Sequence, residues 1–230
     1  SLAAAIVAAM IVAGIGGILV FRLCYQPILH QPPFVPLIAS IGLYIAAEEL
    51  FRIIFGPSGL SYKYAFLQGQ VVLFGFLRFK LAEIAVILGS AAIIGALSLL
   101  QTRTRIGVAC RATVSDPQMA ESFGISLRQV GDINFFVGSA LAAFAGVMVS
   151  VLNNLVEPTM GSVPSYKALA IIVLGGLGSV RGTLAASLVL GVVESFGTIY
   201  LGHYLDRNAI AFAFLILVLM WRPQGMFARS

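Results

Sequence analysis

Apolar residues are grouped along this chain in long blocks, and polar residues fall between them. The blocks cover 2–21, 34–55, 81–100, 130–152, 166–177, 183–201 and 208–221. A helix needs about 20 apolar residues to cross the hydrocarbon of a bilayer, so the pattern predicts membrane-spanning helices. The expected fold is all-α: a polytopic transmembrane helical bundle, forming a single domain over 1–230. The prolines of "QPPFVP" at 31–36 favour the start of the second helix over its middle. From 166 to 200 the apolar run is unbroken. One straight helix there would rise about 50 Å at 1.5 Å per residue, against roughly 30 Å of hydrocarbon. The run must break, and "GGLGSVRG" at 175–182 is the place. A broken or re-entrant helix is therefore expected. Upstream of the break, Ser162 or Ser165 offers a cap and Pro164 fits the first turn.

One polar stretch, 101–129, is long and dense with helix signals. Ser115 or Asp116 can cap a helix with Pro117 in its first turn, and Ser115-x-x-Gln118 fits a capping box. Gly124 can end that helix in the left-handed conformation. Ser126-x-x-Gln129 is a second capping box and opens the next span. Between these signals lies a helix of about two turns, too short to be stable alone in water. It must be docked. Met119 and Phe123, at i and i+4, share one face, and Ile125 extends it. Either this face packs on the chain's own transmembrane helices, or it is a peg for a soluble partner.

Composition strengthens the membrane reading. The chain is 60% apolar and 10% charged, with a mean hydropathy of +1.01. A soluble domain is roughly a quarter charged, because its surface must be wetted. The net charge of +5 reads as cytosolic flanking residues, not as a nucleic-acid surface. If 101–129 is cytosolic, alternation puts Arg22, Arg103, Arg105, Arg111, Arg128, Arg181, Arg222 and Arg229 on that side. Lys63, Arg78, Lys80 and Arg207 fall opposite, with Arg52 and Lys167 at span ends. The bias follows the positive-inside rule and predicts a cytoplasmic C-terminus. Cys24 and Cys110 both fall on the cytosolic side, where reduced thiols are expected. His30 and His203 stand apart, so no metal-ligand spacing exists. The opening "SLAAAIVAAM" has no basic region or cleavage site and is not a signal peptide. The chain is expected to begin partway through a larger protein.

The glycine-rich break could in principle cradle phosphate. However, a phosphate loop needs Lys-Ser or Lys-Thr after its glycines, and a dinucleotide site needs a strand before them. Neither is present, and no catalytic constellation of paired His, Asp, Cys or Ser groups appears. Short, Gly-interrupted helices near a solute path are a transporter feature. A tight interhelical turn is the structural alternative. Small residues at four-residue spacing mark helix faces suited to close packing. They are Ala5, Ala9, Ala13 and Gly17 in the first span, Gly138, Ala142 and Gly146 in the fourth, and Thr183, Ser187, Gly191 and Ser195 in the sixth. Glu194 lies deep in the sixth span, where an ionisable group is costly. It is either a packing contact or a polar point on a path. Candidate path residues are Gly175, Gly176, Gly178, Ser187, Gly191 and Glu194. Glu48 and Arg52 have the spacing of a structural ion pair. Glu83, one turn into the third span, reads as interfacial.

Several of these stretches carry a resemblance. "PLIASIGLYIAAEE" (36–49), "RTRIGVACRATVSDPQMAESFGI" (103–125), "FFVGSALAAFAGVM" (135–148), "KALAIIVLGGLGSVRGTLAASLVLGVVES" (167–195) and "LILVLMWRPQGMF" (215–227) are similar to permease subunits of branched-chain amino-acid ABC importers. The chain resembles the H-type subunit of the Liv systems more than its relative. The family's N-terminal Asn-Phe-Ala-His-like stretch is not matched here.

The resemblance implies a bacterial inner-membrane, multi-pass, non-catalytic permease. Its partners would be a second permease subunit, two cytosolic ABC ATPases, a periplasmic substrate-binding protein and the lipid bilayer, with no nucleic acid. ATP and Mg²⁺ would bind the ATPases, and this chain would hold no cofactor and no metal. The short helix would be the coupling helix, through Asp116, Pro117, Met119, Ala120, Glu121, Phe123, Gly124 and Ile125. The solute would be a hydrophobic, branched-chain amino acid. Urea or a short amide is the alternative within the family, and an ion-coupled secondary transporter the alternative outside it.

Overall fold

A computed structural model describes residues 2–29, 31–32, 34–61, 70–73, 77–176, 180–202 and 206–221. Helices dominate, as the apolar blocks require. They are α1 (Leu2–Val20), α2 (Phe34–Phe55), α3 (Leu81–Arg103), α4 (Arg105–Ser115), α5 (Pro117–Ser122), α6 (Leu127–Asn153), α7 (Ser162–Gly175), α8 (Val180–Leu201) and α9 (Arg207–Trp221). Among the described residues, five segments are long and apolar enough to cross a membrane: Ala3–Ile28, Phe34–Phe55, Leu81–Arg103, Leu127–Asn153 and Gly182–Tyr200. The chain is a polytopic helical membrane protein.

Several expected boundaries move. The first span does not stop at 21. It runs on through a π-helical turn, Phe21–Tyr25, and a 3₁₀ turn, Gln26–Ile28, where Arg22 meets the carboxylate of Asp132. The polar stretch 101–129 also holds an unforeseen second helix, α4. Thr104 separates it from α3 in an extended conformation. The Thr104 hydroxyl donates to the Leu100 carbonyl (2.5 Å) and accepts from the Gly107 N–H (3.1 Å). At buried Gly107 a Cβ would run into the backbone of Gln101, and Arg111 donates to the Gln101 carbonyl. Ser115 closes α4 and does not cap the next helix; its hydroxyl donates back to the Arg111 carbonyl at 3.1 Å. Neither serine caps α7. Gly161 holds that place, while the hydroxyls of Ser162 and Ser165 donate to the carbonyls of Thr159 and Gly161.

Among the described residues, four short strands join the helices, which the apolar pattern did not indicate. β2 (Gln70–Leu73) and β3 (Leu77–Lys80) form an antiparallel hairpin with Gln70 opposite Lys80. β1 (Leu60–Ser61) pairs antiparallel with β4 (Leu155–Val156). This second pair follows the C-terminal ends of α2 and α6, whereas α5 precedes the N-terminus of α6. The 27 residues of α6 put about 40 Å between them.

The chain divides into two compact units, 1–158 and 159–230. In the first, α1 lies along the first half of α6. Gly14 and Gly17 let the backbones approach: a Cβ at Gly14 would meet the Phe136 ring, and one at Gly17 would meet Ser139 and the Phe135 carbonyl. Phe21 covers Gly131. Ala5 is exposed, so the packed stripe is Gly14–Gly17–Phe21 more than the alanines. Of the stripe expected on α6, Gly138 and Ala142 are exposed and Gly146 is half-buried, so it is not the face that α1 covers. Ala82 of α3 packs on Val151 of α6. No residue of α2 is buried by the rest of the described chain.

In the second unit, Leu174 of α7, Ala186 of α8 and Val218 of α9 form the core. α7 ends at the expected break, with Gly176 at a φ of +86°. Its 14 residues rise about 21 Å, too little to span a bilayer upright. Gly175 touches the backbone of Gly182 and Thr183, where a Cβ would clash.

Candidate functional site

Asp116 caps α5: its Oδ1 accepts from the Met119 N–H at 3.0 Å, and Pro117 occupies the first helical position. The helix ends in a Schellman turn. The Ile125 N–H donates to the Ala120 carbonyl (3.0 Å) and the Gly124 N–H to the Glu121 carbonyl (2.9 Å). This turn needs a positive φ at Gly124, and it is +80°. Ser126 then accepts from the Gln129 N–H at 3.4 Å and opens α6. Two turns of helix are thus held at both ends by bonds the sequence specifies.

Burial separates the two faces of α5. Ala120 is 4% exposed, Met119 57% and Phe123 80%. Glu121 is exposed and Ile125 half-buried. Among the described residues, the apolar pair Met119 and Phe123 therefore does not pack on the chain's own helices. It is presented outward from a fixed base.

The candidates around the glycine break are not brought to one surface. Gly175 and Gly176 are buried, and Gly178 lies outside the described residues. The buried stripe of α8 is Gly182, Ala186, Leu190 and Glu194, one position from the small-residue stripe expected there. Ser187 is half-buried, and its hydroxyl donates to its own helix at the Leu184 carbonyl. Gly191 is exposed, with nothing near the place of a Cβ. Glu194 is 5% exposed and pairs with Lys167 of α7, Oε1 to Nζ at 2.8 Å.

Among the described residues, two ion pairs escaped sequence reasoning. Lys167–Glu194 is one. The other joins Arg22 to Asp132 through two bonds, Nε to Oδ1 at 3.1 Å and a terminal nitrogen to Oδ2 at 2.7 Å. In both, the partners are far apart in sequence, and no spacing rule links them. The local pair was legible: Arg52 reaches Glu48 at 3.5 Å, and also Glu49 at 3.1 Å. Glu83 accepts from the Lys80 backbone N–H at 3.3 Å, at the start of α3.

With this geometry in place, similarity to known proteins decides the family. Residues 1–221 match the family described as the branched-chain amino acid transport system / permease component. This chain belongs to that family. It is 30% identical over 236 residues to the high-affinity branched-chain amino acid transport system permease protein BraD of Pseudomonas aeruginosa, covering 98% of this chain and 74% of that protein. It is 32% identical over 232 residues to the permease protein LivH of Escherichia coli K12, covering 99% and 74%. The permease protein LivM of the same organism is 30% identical over 129 residues, 54% of this chain and 29% of LivM. No solved structure matches the chain significantly. As a member of this family, the chain is a membrane permease component.

Proposed function

We propose that this chain is a permease subunit of an ABC importer that moves a branched-chain amino acid across the bacterial inner membrane. It contributes one half of the path, and a second permease subunit, the same or related, contributes the other. A periplasmic binding protein delivers the solute. Two cytosolic ATPases bind ATP and Mg²⁺ and do the hydrolysis, and this chain adds no catalytic group. The C-terminus is cytoplasmic.

One observation carries the reading within the family: α5 offers Met119 and Phe123 to the outside from a base that the Asp116 cap and the Gly124 turn hold rigid. A helix of six residues gains no stability from exposing two large apolar side chains. Their exposure suits a groove on another protein, with helix-in-groove contact supplied by residues one turn apart. Closure of the ATPase dimer displaces α5, and the close-packed helices turn that displacement into access from one side or the other. The path runs beside the break between α7 and α8, near the buried Gly175, Gly176 and Glu194.

The test is purification of the tagged chain from its native membrane, followed by uptake in proteoliposomes. Soluble ATPase subunits should co-purify, and uptake of labelled leucine should require ATP. Phe123→Glu should lower ATP-driven uptake at least tenfold without reducing membrane insertion. Uptake driven by an ion gradient without ATP would overturn the importer reading. Competition by urea and not by valine would overturn the solute.

A further inference from the structure

The base of α5 leads directly to the fork between Arg22 and Asp132. The Schellman turn at Gly124 and the cap at Ser126 leave no flexible linker between α5 and α6. Ala120 and Val130 are both buried there, 4% and 8% exposed. Asp132 is on the second turn of α6. Its side chain is 14% exposed, and both of its oxygens are engaged by Arg22. Bidentate guanidinium–carboxylate bonding fixes orientation as well as distance. Arg22 stands in the π-helical turn that ends α1, a feature often placed at functional positions. The contacts around the fork are tight. Phe21 lies on Gly131, and its ring is 4.8 Å from Phe135, with Tyr25 5.0 Å from the same ring.

We propose that Arg22 and Asp132 are a positioning pair that carries displacement of α5 into α1. The proposal rests on the importer reading above and adds a component to it. Neither residue touches solute or ATP. A shift of the first turns of α6 moves Asp132, and the two-bond fork moves the end of α1 with it. Gly14 and Gly17 then hold the rest of α1 to α6. Aromatic contacts have little directional preference, whereas the two bonds of the fork fix how the guanidinium of Arg22, itself half-exposed, sits on Asp132.

The experiment uses the assembled importer and reads solute taken up per ATP hydrolysed. Arg22→Ala and Asp132→Ala should each lower this ratio about tenfold, the scale expected for a residue that transmits coupling. Arg22→Lys keeps the charge, loses the fork, and should give an intermediate ratio. The exchanged pair, Arg22→Asp with Asp132→Arg, should recover at least half of the wild-type ratio. A merely structural pin would lower the melting temperature and the yield of complex but leave the ratio of the surviving complex unchanged. That result would overturn the proposal. If the alanine variants do not assemble, Arg22→Lys decides, and a wild-type ratio in it is equally fatal. Absence of ATPases from the wild-type preparation would instead overturn the importer reading itself.

Discussion

Glu194 shows what one residue can and cannot say. Its depth in an apolar helix marks it as costly, but its role depends on Lys167, which sits 2.8 Å away on another helix. Removing one partner of a buried pair leaves an uncompensated charge, at a cost of about 3–5 kcal/mol. Lys167→Met should therefore lower thermal stability sharply in nanodiscs, and the exchanged pair, Lys167→Glu with Glu194→Lys, should restore most of it. A variant as stable as the wild type would show that the pair is not closed in the folded protein. Gly124 is the opposite kind of residue, readable from sequence alone. Its φ of +80° costs a residue with a Cβ about 1–2 kcal/mol. Gly124→Ala should loosen α5, seen as faster hydrogen exchange at Ile125, whose N–H closes the turn.

At the scale of the element, the helices are specified by local signals and their contacts are not. Caps at Asp116 and Ser126, and a turn at Gly124, lie within a few residues of what they terminate, so the short helix was legible. α4 was not, because its arginines resemble a solvated loop until Thr104 and Gly107 fold the corner. The faces that pack were legible only in part. Gly17 was among the small residues expected to pack and does so, whereas the stripe 183/187/191/195 lies one position from the one that is buried. A stripe of small residues permits close approach, but only a neighbour decides which stripe is used. Gly17→Leu should force α1 from α6 and cost about 1–3 kcal/mol, measured as a lower melting temperature. Gly138→Ala, where no atom lies near the place of a Cβ, should not destabilise and should gain up to about 1 kcal/mol from helix propensity. Equal effects would mean that the two helices meet on the other face.

For the whole molecule, the decisive property is sidedness. α5 and the β1–β4 pair stand at opposite ends of α6, which is long and apolar enough to cross a membrane, and a bilayer crossed by α6 puts them on opposite sides. In a cysteine-free background, Phe123→Cys should react with a membrane-impermeant maleimide only in inside-out vesicles. Leu60→Cys should react only in right-side-out ones. Labelling of both from the same side would remove α6 as a span, and labelling in the reverse sense would remove the cytosolic ATPase as the partner of α5.

The sequence by itself determined that this protein lives in a membrane, roughly where its helices run, and that a short helix between two caps interrupts them. Length, hydropathy and capping act over a few residues or simply add along the chain, so they survive without coordinates. The tertiary structure alone decided that Met119 and Phe123 face outward, that Arg22 grips Asp132, that Lys167 neutralises Glu194, and which glycines lie beneath a neighbour. Those are meetings between residues distant in sequence, and a one-dimensional pattern holds no record of which helix faces will touch.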